Sequence, residues 1–182
     1  MEAIDGYLLD NNIISILARP RDPRYAAIEA LFRAVSQGPI FLPVIALAEI
    51  EFGMALSASA NEEQKQALRG FFAQYPHHLP VDDNTIEPYA LLRAQLWRDH
   101  GTKKTRGYWE KVPEDLAERV SGKSLGIDER DLFIASIAVQ YNLILATNDQ
   151  NQGMRRIAEA ARRLEAVGES VHLRIDYWPK PT

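Results

Sequence analysis

The chain of 182 residues is 46% hydrophobic and 25% charged, which is typical of a folded domain and excludes disordered and low-complexity classes. Because it has no cysteine, disulfide frameworks, zinc knuckles, iron–sulfur clusters and thiol nucleophiles are excluded, and a reducing cytoplasmic location is favoured. The net charge of −4 argues against binding nucleic acid by bulk electrostatics, but it leaves open an enzyme that holds phosphates through metal ions.

Short apolar runs alternate with helical patterns along the chain. In chain order they predict a strand at residues 6–10, helix 23–35, strand 40–42, helices 44–56 and 61–72, strand 79–81, helices 82–97, 114–120 and 131–141, strand 143–147, helix 154–167 and strand 171–175. This alternation predicts an α/β fold with a central, mainly parallel sheet flanked by helices.

The length predicts a single domain over residues 1–182. Residues 100–126 are the least regular part and are interpreted as an insertion into the core pattern. No stretch approaches the ~20 apolar residues that a membrane-spanning helix needs, so we expect no membrane association.

Four acidic residues lie in or near the segments that follow predicted strands, where α/β proteins bind their ligands. Asp10 follows the first strand and Asp149 follows the strand at 143–147. Asp131 opens the helix before that strand, and Glu49 lies in the helix after the second strand. Because ligands bind outside the carboxyl ends of such strands, we expect the four carboxylates to converge. Their mutual repulsion calls for a counter-charge, and Mg²⁺ or Mn²⁺ suits oxygen ligands and phosphodiester hydrolysis.

Each acid also has a purely structural interpretation, which the sequence leaves open. Asp10 suits an N-cap or a turn, and Glu49 suits an exposed helix surface. Asp131, like Asp128, suits the N-terminus of its helix, and Asp149 suits a loop. The metal-site prediction therefore depends on the four acids together.

Four segments, LLDNN, LAEIEFG, ERDLFIASIA and LILATND, carry a family resemblance over residues 6–155. In this order they resemble the motifs of the PIN-domain ribonucleases, and most closely those of the VapC-type toxins of toxin–antitoxin pairs. The family motifs D-[S/T]-N, L-x-E-[LI]-x-x-G, acid-L-x-I-A-A and L-x-T-x-[ND] match Asp10 with Asn12, Glu49, Asp131, and Thr147 with Asp149. Asn11 stands where the family has Ser or Thr, and the fourth motif lacks its usual acid-Phe ending.

The resemblance implies a PIN-like three-layer fold and a metal-dependent endoribonuclease. It also implies a homodimer and a cognate antitoxin that occupies the active site. Asp10, Glu49 and Asp131 are then ligands of Mg²⁺ or Mn²⁺, and Asp149 completes the site. Asn12 and Thr147 would hydrogen-bond the carboxylates or the substrate.

Basic residues are the candidates for holding the RNA on either side of the cleaved bond. Arg155 and Arg156 follow the fourth acid, and the insertion adds basic and aromatic side chains that suit unpaired bases. These are Lys103, Lys104, Arg106, Tyr108 and Trp109. The alternative is that such charges form a solvated helix face.

Two other functions were weighed. A phospho-acceptor signalling domain needs paired acids near the first strand and a lysine after a late strand, and the loop after residues 143–147 has no lysine. A non-catalytic PIN-like module that binds RNA or protein is the other alternative, and the presence of all three core acids argues against it.

Overall fold

The computed structural model describes residues 6–56, 62–102, 111–118, 121–149 and 152–179. The strands are β1 Tyr7–Leu9, β2 Ile40–Pro43, β3 His78–Leu79, β4 Ile144–Thr147 and β5 Arg174–Tyr177. The helices are α1 Asn11–Leu17, α2 Tyr25–Val35, α3 Val44–Leu56, α4 Glu62–Gln74, α5 Ile86–His100, α6 Glu129–Gln140 and α7 Gly153–Ala166. No helix of these described ranges is long and apolar enough to cross a membrane.

Contacts between residues divide the chain into two compact units. The first comprises Met1–Pro80, Leu143–Asn148 and Ile175–Thr182, and the second comprises Val81–Asn142 and Asp149–Arg174. The single domain over residues 1–182 stays a prediction.

The first unit is built on a five-stranded sheet in the order β3-β2-β1-β4-β5. β1 pairs in parallel with β2 and β4, and β2 pairs in parallel with β3. Leu8 and Leu9 of the central strand are 0% exposed, as expected for a strand covered on both faces. Helix α1 packs against α2, α3 and β4. The predicted α/β class with a mainly parallel sheet is confirmed.

The second unit is helical. Helices α5, α6 and α7 pack against one another, with apolar side chains buried along the contacts. These include Leu92, Leu96, Leu132, Ile137, Ile157 and Leu164. A 3₁₀ turn, Asp83–Thr85, precedes α5, so the regular helix begins four residues later than residue 82.

Other sequence-based assignments were wrong or shifted as well, and β3 occupies His78–Leu79 rather than residues 79–81. Residues 11–17 form α1, a helix that the sequence pattern did not predict. The predicted helix 114–120 is instead a 3₁₀ turn, Pro113–Asp115, followed by an antiparallel bridge between Ala117 and Ser124. Strand β5 begins three residues after the predicted residue 171. Asn61, the residue with which the predicted helix 61–72 begins, lies outside the described residues.

The hairpin around residue 122 has a physical cause. Leu116 and Leu125 are each 1% exposed, and the amide of Leu125 donates to the carbonyl of Leu116. Gly122 provides the turn with a φ of +69°, which glycine adopts without strain. Burial of these two leucines therefore outweighs the helix propensity of the sequence here.

Candidate functional site

Asp10 is the single residue between β1 and α1. Its amide donates to the carbonyl of Ala146, which extends the pairing of β1 with β4 by one position. Its carbonyl then accepts from the amides of Ile13 and Ile14, and its side chain caps α1 by accepting from the amide of Asn11 at 2.7 Å. The N-cap interpretation of Asp10 is therefore confirmed, and it is compatible with a role in binding.

The Asp10 carboxylate is buried, with 3% exposure, and neutral side chains hold it in place. Its Oδ2 accepts from the side-chain amide of Asn12 at 2.7 Å and from the hydroxyl of Thr147 at 2.6 Å. The same Asn12 amide donates to Thr147 Oγ1 at 3.3 Å. Since Leu9 is in register with Ala146, the next residues, Asp10 and Thr147, meet at the carboxyl ends of parallel strands. The family resemblance implied hydrogen bonds from Asn12 and Thr147 to the carboxylates, while the convergence of the four carboxylates stays a prediction.

Glu49 is connected to the same region through Asn11. The Asn11 side chain donates from Nδ2 to Glu49 Oε2 at 3.1 Å, and its Oδ1 accepts from the hydroxyl of Ser15. Asn11 thus makes a side-chain contact that the shorter Ser or Thr of the family motif would have to make differently. Asp10 and Glu49 flank one turn of α1, as two neighbouring acids of the first unit.

Asn148 belongs to the site, although the sequence analysis did not select it. It is 5% exposed, and its backbone N–H donates to Asn12 Oδ1 at 2.8 Å. Its side chain donates to the carbonyl of Trp178 and accepts from Arg24 Nη1 at 3.2 Å. Asn148 therefore holds the side chain that orients Asp10, and it connects that side chain to two distant segments. Only its position after a buried strand could have indicated this role.

Arg24 is itself fixed by Asp22. Arg24 Nε and Nη2 donate to the two carboxylate oxygens of Asp22, both at 2.9 Å. These hydrogen bonds lower the pKa of Asp22 to about 2. The Arg24 side chain is 49% exposed, so this ion pair lies at the periphery of the buried group.

Asp131 lies in the first turn of α6, in the second unit. Asp128, and not Asp131, is the N-cap, and it accepts from the amide of Arg130 at 2.9 Å. Burial raises the pKa of Asp128, and the negative charges of Glu114 and Glu129 add to the effect. Asp131 is therefore the third residue of a helix whose first turn is densely acidic.

Asp149 lies before α7 and binds its first turn. Its Oδ2 accepts from the amide of Met154 at 2.8 Å, which places a carboxylate at the positive end of the helix. Gly153, the first residue of this helix, lies directly against the backbone of Gly126. A Cβ at residue 153 would be 2.2 Å from the Gly126 carbonyl oxygen, so a larger residue does not fit. The need for glycine at this position was not visible in the sequence.

The predicted RNA-binding residues have different surroundings. Arg155 is exposed, whereas Arg156 is 18% exposed and forms an ion pair with Glu118 at 3.0 Å. The basic and aromatic candidates of the insertion lie outside the described residues: Lys103, Lys104, Arg106, Tyr108 and Trp109.

The structure brings Asp10, Asn12, Thr147 and Glu49 together within the first unit, while Asp131, Asp149, Arg155 and Arg156 lie in the second. Within the described ranges, no group of three or more His, Asp or Glu side chains is arranged to hold a metal ion. The assignment of all four acids to one metal site stays a prediction.

A central parallel sheet with a buried aspartate at the carboxyl end of its middle strand defines an α/β protein with an acidic site at one sheet edge. The PIN domain family model matches residues 7–160, which is most of the chain. The chain therefore belongs to the PIN domain family, and the predicted PIN-like fold is confirmed.

Several solved structures share this fold. A VapBC2 complex from Rickettsia felis, bound to a DNA fragment from its promoter, matches with a TM-score of 0.60 and 18% identity over 95% of this chain and 98% of that chain. FitAcB from Neisseria gonorrhoeae matches with a TM-score of 0.54 and 26% identity over 84% and 93% of the two chains. VapBC-5 from Mycobacterium tuberculosis, a member of the VapBC family of toxin–antitoxin systems, has a TM-score of 0.52 and 20% identity over 95% and 97%.

One curated protein also matches part of the chain. A glucose-6-phosphate isomerase from Alkaliphilus metalliredigens is 28% identical over 110 residues, which are 59% of this chain. The chain spans 23% of the length of that protein. We transfer no activity from this match, because the family model covers more of the chain.

Proposed function

We propose that this protein is a metal-dependent endoribonuclease that acts in the cytoplasm as the toxin of a toxin–antitoxin pair. The observation that carries the proposal is the buried Asp10 carboxylate, held by Asn11, Asn12 and Thr147 at the carboxyl end of β1. Membership of the PIN domain family and the fold shared with VapBC complexes support it.

The chemistry of the donors suits Mg²⁺ or Mn²⁺. Asp10 and Glu49 offer carboxylate oxygens, which hard divalent cations prefer. The backbone amide of Asn11, the side chain of Asn12 and the hydroxyl of Thr147 orient the Asp10 carboxylate. We assign Asp10, Glu49, Asp131 and Asp149 as the residues that hold the cation. When bound, such a cation activates water and stabilises negative charge on the attacked phosphate.

The neutral side chains have defined roles in this proposal. The single hydroxyl proton of Thr147 is donated to Asp10, so the hydroxyl oxygen is left to accept from Asn12. Asn12 uses both amide protons and its carbonyl oxygen, which fixes its orientation. Asn11 orients Glu49 in the same way. Arg155 and Arg156 would bind the RNA backbone, and Arg156 must then exchange its bond to Glu118 for a phosphate.

We further propose a cognate antitoxin as protein partner and a homodimer as the working form. The similar structures from Rickettsia felis and Mycobacterium tuberculosis are VapBC structures, which favours a partner of the antitoxin kind. A small partner that copurifies with the chain and suppresses RNA cleavage is the expected finding.

The proposal is tested by cleavage of total cellular RNA with the purified, partner-free protein in Mg²⁺ or Mn²⁺ and in EDTA. We expect discrete fragments that require metal and a loss of about 10³-fold or more in rate for both Asp10→Asn and Asp131→Asn. Asp115→Asn removes an exposed carboxylate outside the assigned site and serves as the matched control. No cleavage by the folded wild-type protein with either metal would contradict the proposal.

The alternative is a non-catalytic PIN-like module that binds RNA or protein. It is favoured by the absence, within the described ranges, of three close metal-binding side chains. Binding of RNA without cleavage, unchanged by EDTA and by Asp10→Asn, would support this alternative.

A further inference from the structure

The insertion reaches the helix that carries Asp131. Glu114 Oε1 accepts a hydrogen bond from the amide of Glu129, the first residue of α6, at 3.0 Å. Asp128 accepts from the next amide, that of Arg130. The first amides of a helix have no partner within it. Two carboxylates, one of them from the insertion, therefore satisfy the two amides that directly precede Asp131.

Arg93 of α5 contacts the same turn through the side chain of Glu129. Its Nη1 donates to Glu129 Oε1 at 2.8 Å, and its Nη2 donates to the carbonyl of Lys111 in the insertion. The guanidinium lies 5.0 Å from the ring centroid of Trp97, a cation–π contact that restrains it further. One guanidinium thus connects the insertion to the first turn of α6.

The other end of the insertion is anchored on α7. Glu118 forms the ion pair with Arg156, and the carbonyl of Gly126 lies against Gly153 at the start of that helix. Leu116 and Leu125, close to these two anchors in the chain, bury their side chains. Residues 111–118 and 121–126 of the insertion are therefore fixed near the first turns of both α6 and α7.

We propose that the insertion positions Asp131 for the reaction, with Glu114 and Arg93 as positioning residues that act through Glu129. This inference rests on the proposed function, because it gives Asp131 a role in holding the metal. Its physical basis is that a displacement of about 1 Å in a reacting group can reduce a rate about 10²-fold. Removing the Glu114 carboxylate frees the amide that fixes the first turn of α6, while the fold keeps its buried leucines.

The test compares three variants of the full chain. Glu114→Ala removes the acceptor, Glu114→Gln keeps an acceptor oxygen without the charge, and Asp115→Ala removes a neighbouring exposed carboxylate that is not an acceptor for α6. For each variant we would measure hydrogen exchange of the amides of residues 129–131, Mn²⁺ affinity by titration without RNA, and kcat and KM for RNA cleavage.

We expect Glu114→Ala to speed exchange at Glu129 by about tenfold and to weaken Mn²⁺ binding several-fold. It should lower kcat about tenfold or more and leave the KM for RNA near the wild-type value. Glu114→Gln should recover most of each loss, and Asp115→Ala should match the wild type in all three measurements.

Unchanged exchange in Glu114→Ala, or equal effects of Glu114→Ala and Asp115→Ala, would overturn the inference. Faster exchange with unchanged Mn²⁺ affinity and kcat would also overturn it, because the contact would then be only structural. If the wild-type protein cleaves no RNA, the proposed function fails and the role of Asp131 with it. The exchange measurement then decides separately whether Glu114 holds the turn.

Discussion

The turn around Asp10 and the turn around Asp131 hold their acids by different means. Asp10 is buried, and the groups that orient it are a backbone amide, a side-chain amide and a hydroxyl, all neutral. The first turn of α6 is partly exposed, and charged groups hold it: Glu114, Asp128, Glu129 and Arg93.

This difference separates two ways of preparing an acidic site. Hydrogen bonds between buried neutral donors and the Asp10 carboxylate are only weakly sensitive to salt. Exposed ion pairs contribute little individually and weaken as salt rises. We therefore expect an added charge in the Asp10 turn to lower the free energy of unfolding strongly. In the Asp131 turn, added salt or the removal of one charge should change the free energy of unfolding only slightly.

The largest loss of stability is expected from Asn12→Asp, which puts a second carboxylate next to that of Asp10. Asn12 Nδ2 lies 2.7 Å from Asp10 Oδ2, so the new carboxylate would replace a donor by a like charge. We expect a loss of roughly 2–4 kcal/mol in the free energy of unfolding at pH 7, larger than for Asn12→Ala, and a loss of RNA cleavage.

Urea denaturation measures this difference, with the exposed Asn84→Asp as control. Equal stability of Asn12→Asp and Asn12→Ala would show that neutrality is not what the Asp10 turn requires.

The second prediction concerns the close contact between the backbones of Gly153 and Gly126. Gly153→Ala places a Cβ 2.2 Å from the carbonyl oxygen of Gly126, so one of the two segments must move. We expect a loss of about 1–3 kcal/mol in the free energy of unfolding. Gly70→Ala, in α4 with no atom within 4 Å of the new Cβ, should instead stabilise by about 0.5–1 kcal/mol. Thermal unfolding that ranks both variants alike would contradict this packing.

The smallest effect concerns the ion pair of Asp22 with Arg24, and Arg24 also donates a hydrogen bond to Asn148. The pKa of Asp22 is lowered from 3.8 to about 2 by the hydrogen bonds from Arg24. A lowered pKa contributes stability that is present above the unfolded value of 3.8 and is lost as the pH falls through about 2. Asp22→Asn should therefore reduce the pH dependence of the urea midpoint between about pH 2 and 4. Identical pH profiles in low salt would show that the pair is not formed in solution.

The sequence predicted the parts of the site that follow from local patterns. Asp10 follows one buried apolar strand and Thr147 ends another, so parallel pairing alone would bring the two residues to the same edge of the sheet. Helix α3 was predicted with its observed bounds, because residues 44–56 are helix formers throughout. The α1 helix was missed because Asp and Asn are common in turns, although Asp10 proved to be a cap that starts a helix.

The contacts that the sequence did not predict join segments far apart in the chain. Asn148 and Arg24 are separated by 124 positions, and no local pattern indicates their hydrogen bond. The same holds for Glu114 with Glu129, which depends on a hairpin where the residues favoured a helix. Long-range packing decided these cases against local propensity.

The central claim of the proposed function is that the assigned carboxylates bind a divalent cation. It is tested most directly by titrating Mn²⁺ into the partner-free protein without RNA, for the wild type, Asp10→Asn, Glu49→Gln, Asp131→Asn and the control Asp115→Asn. We predict saturable binding that each of the first three substitutions weakens about tenfold or more and that the control leaves unchanged. Binding that survives both Asp10→Asn and Asp131→Asn, or a wild-type protein that binds no Mn²⁺, would contradict the account.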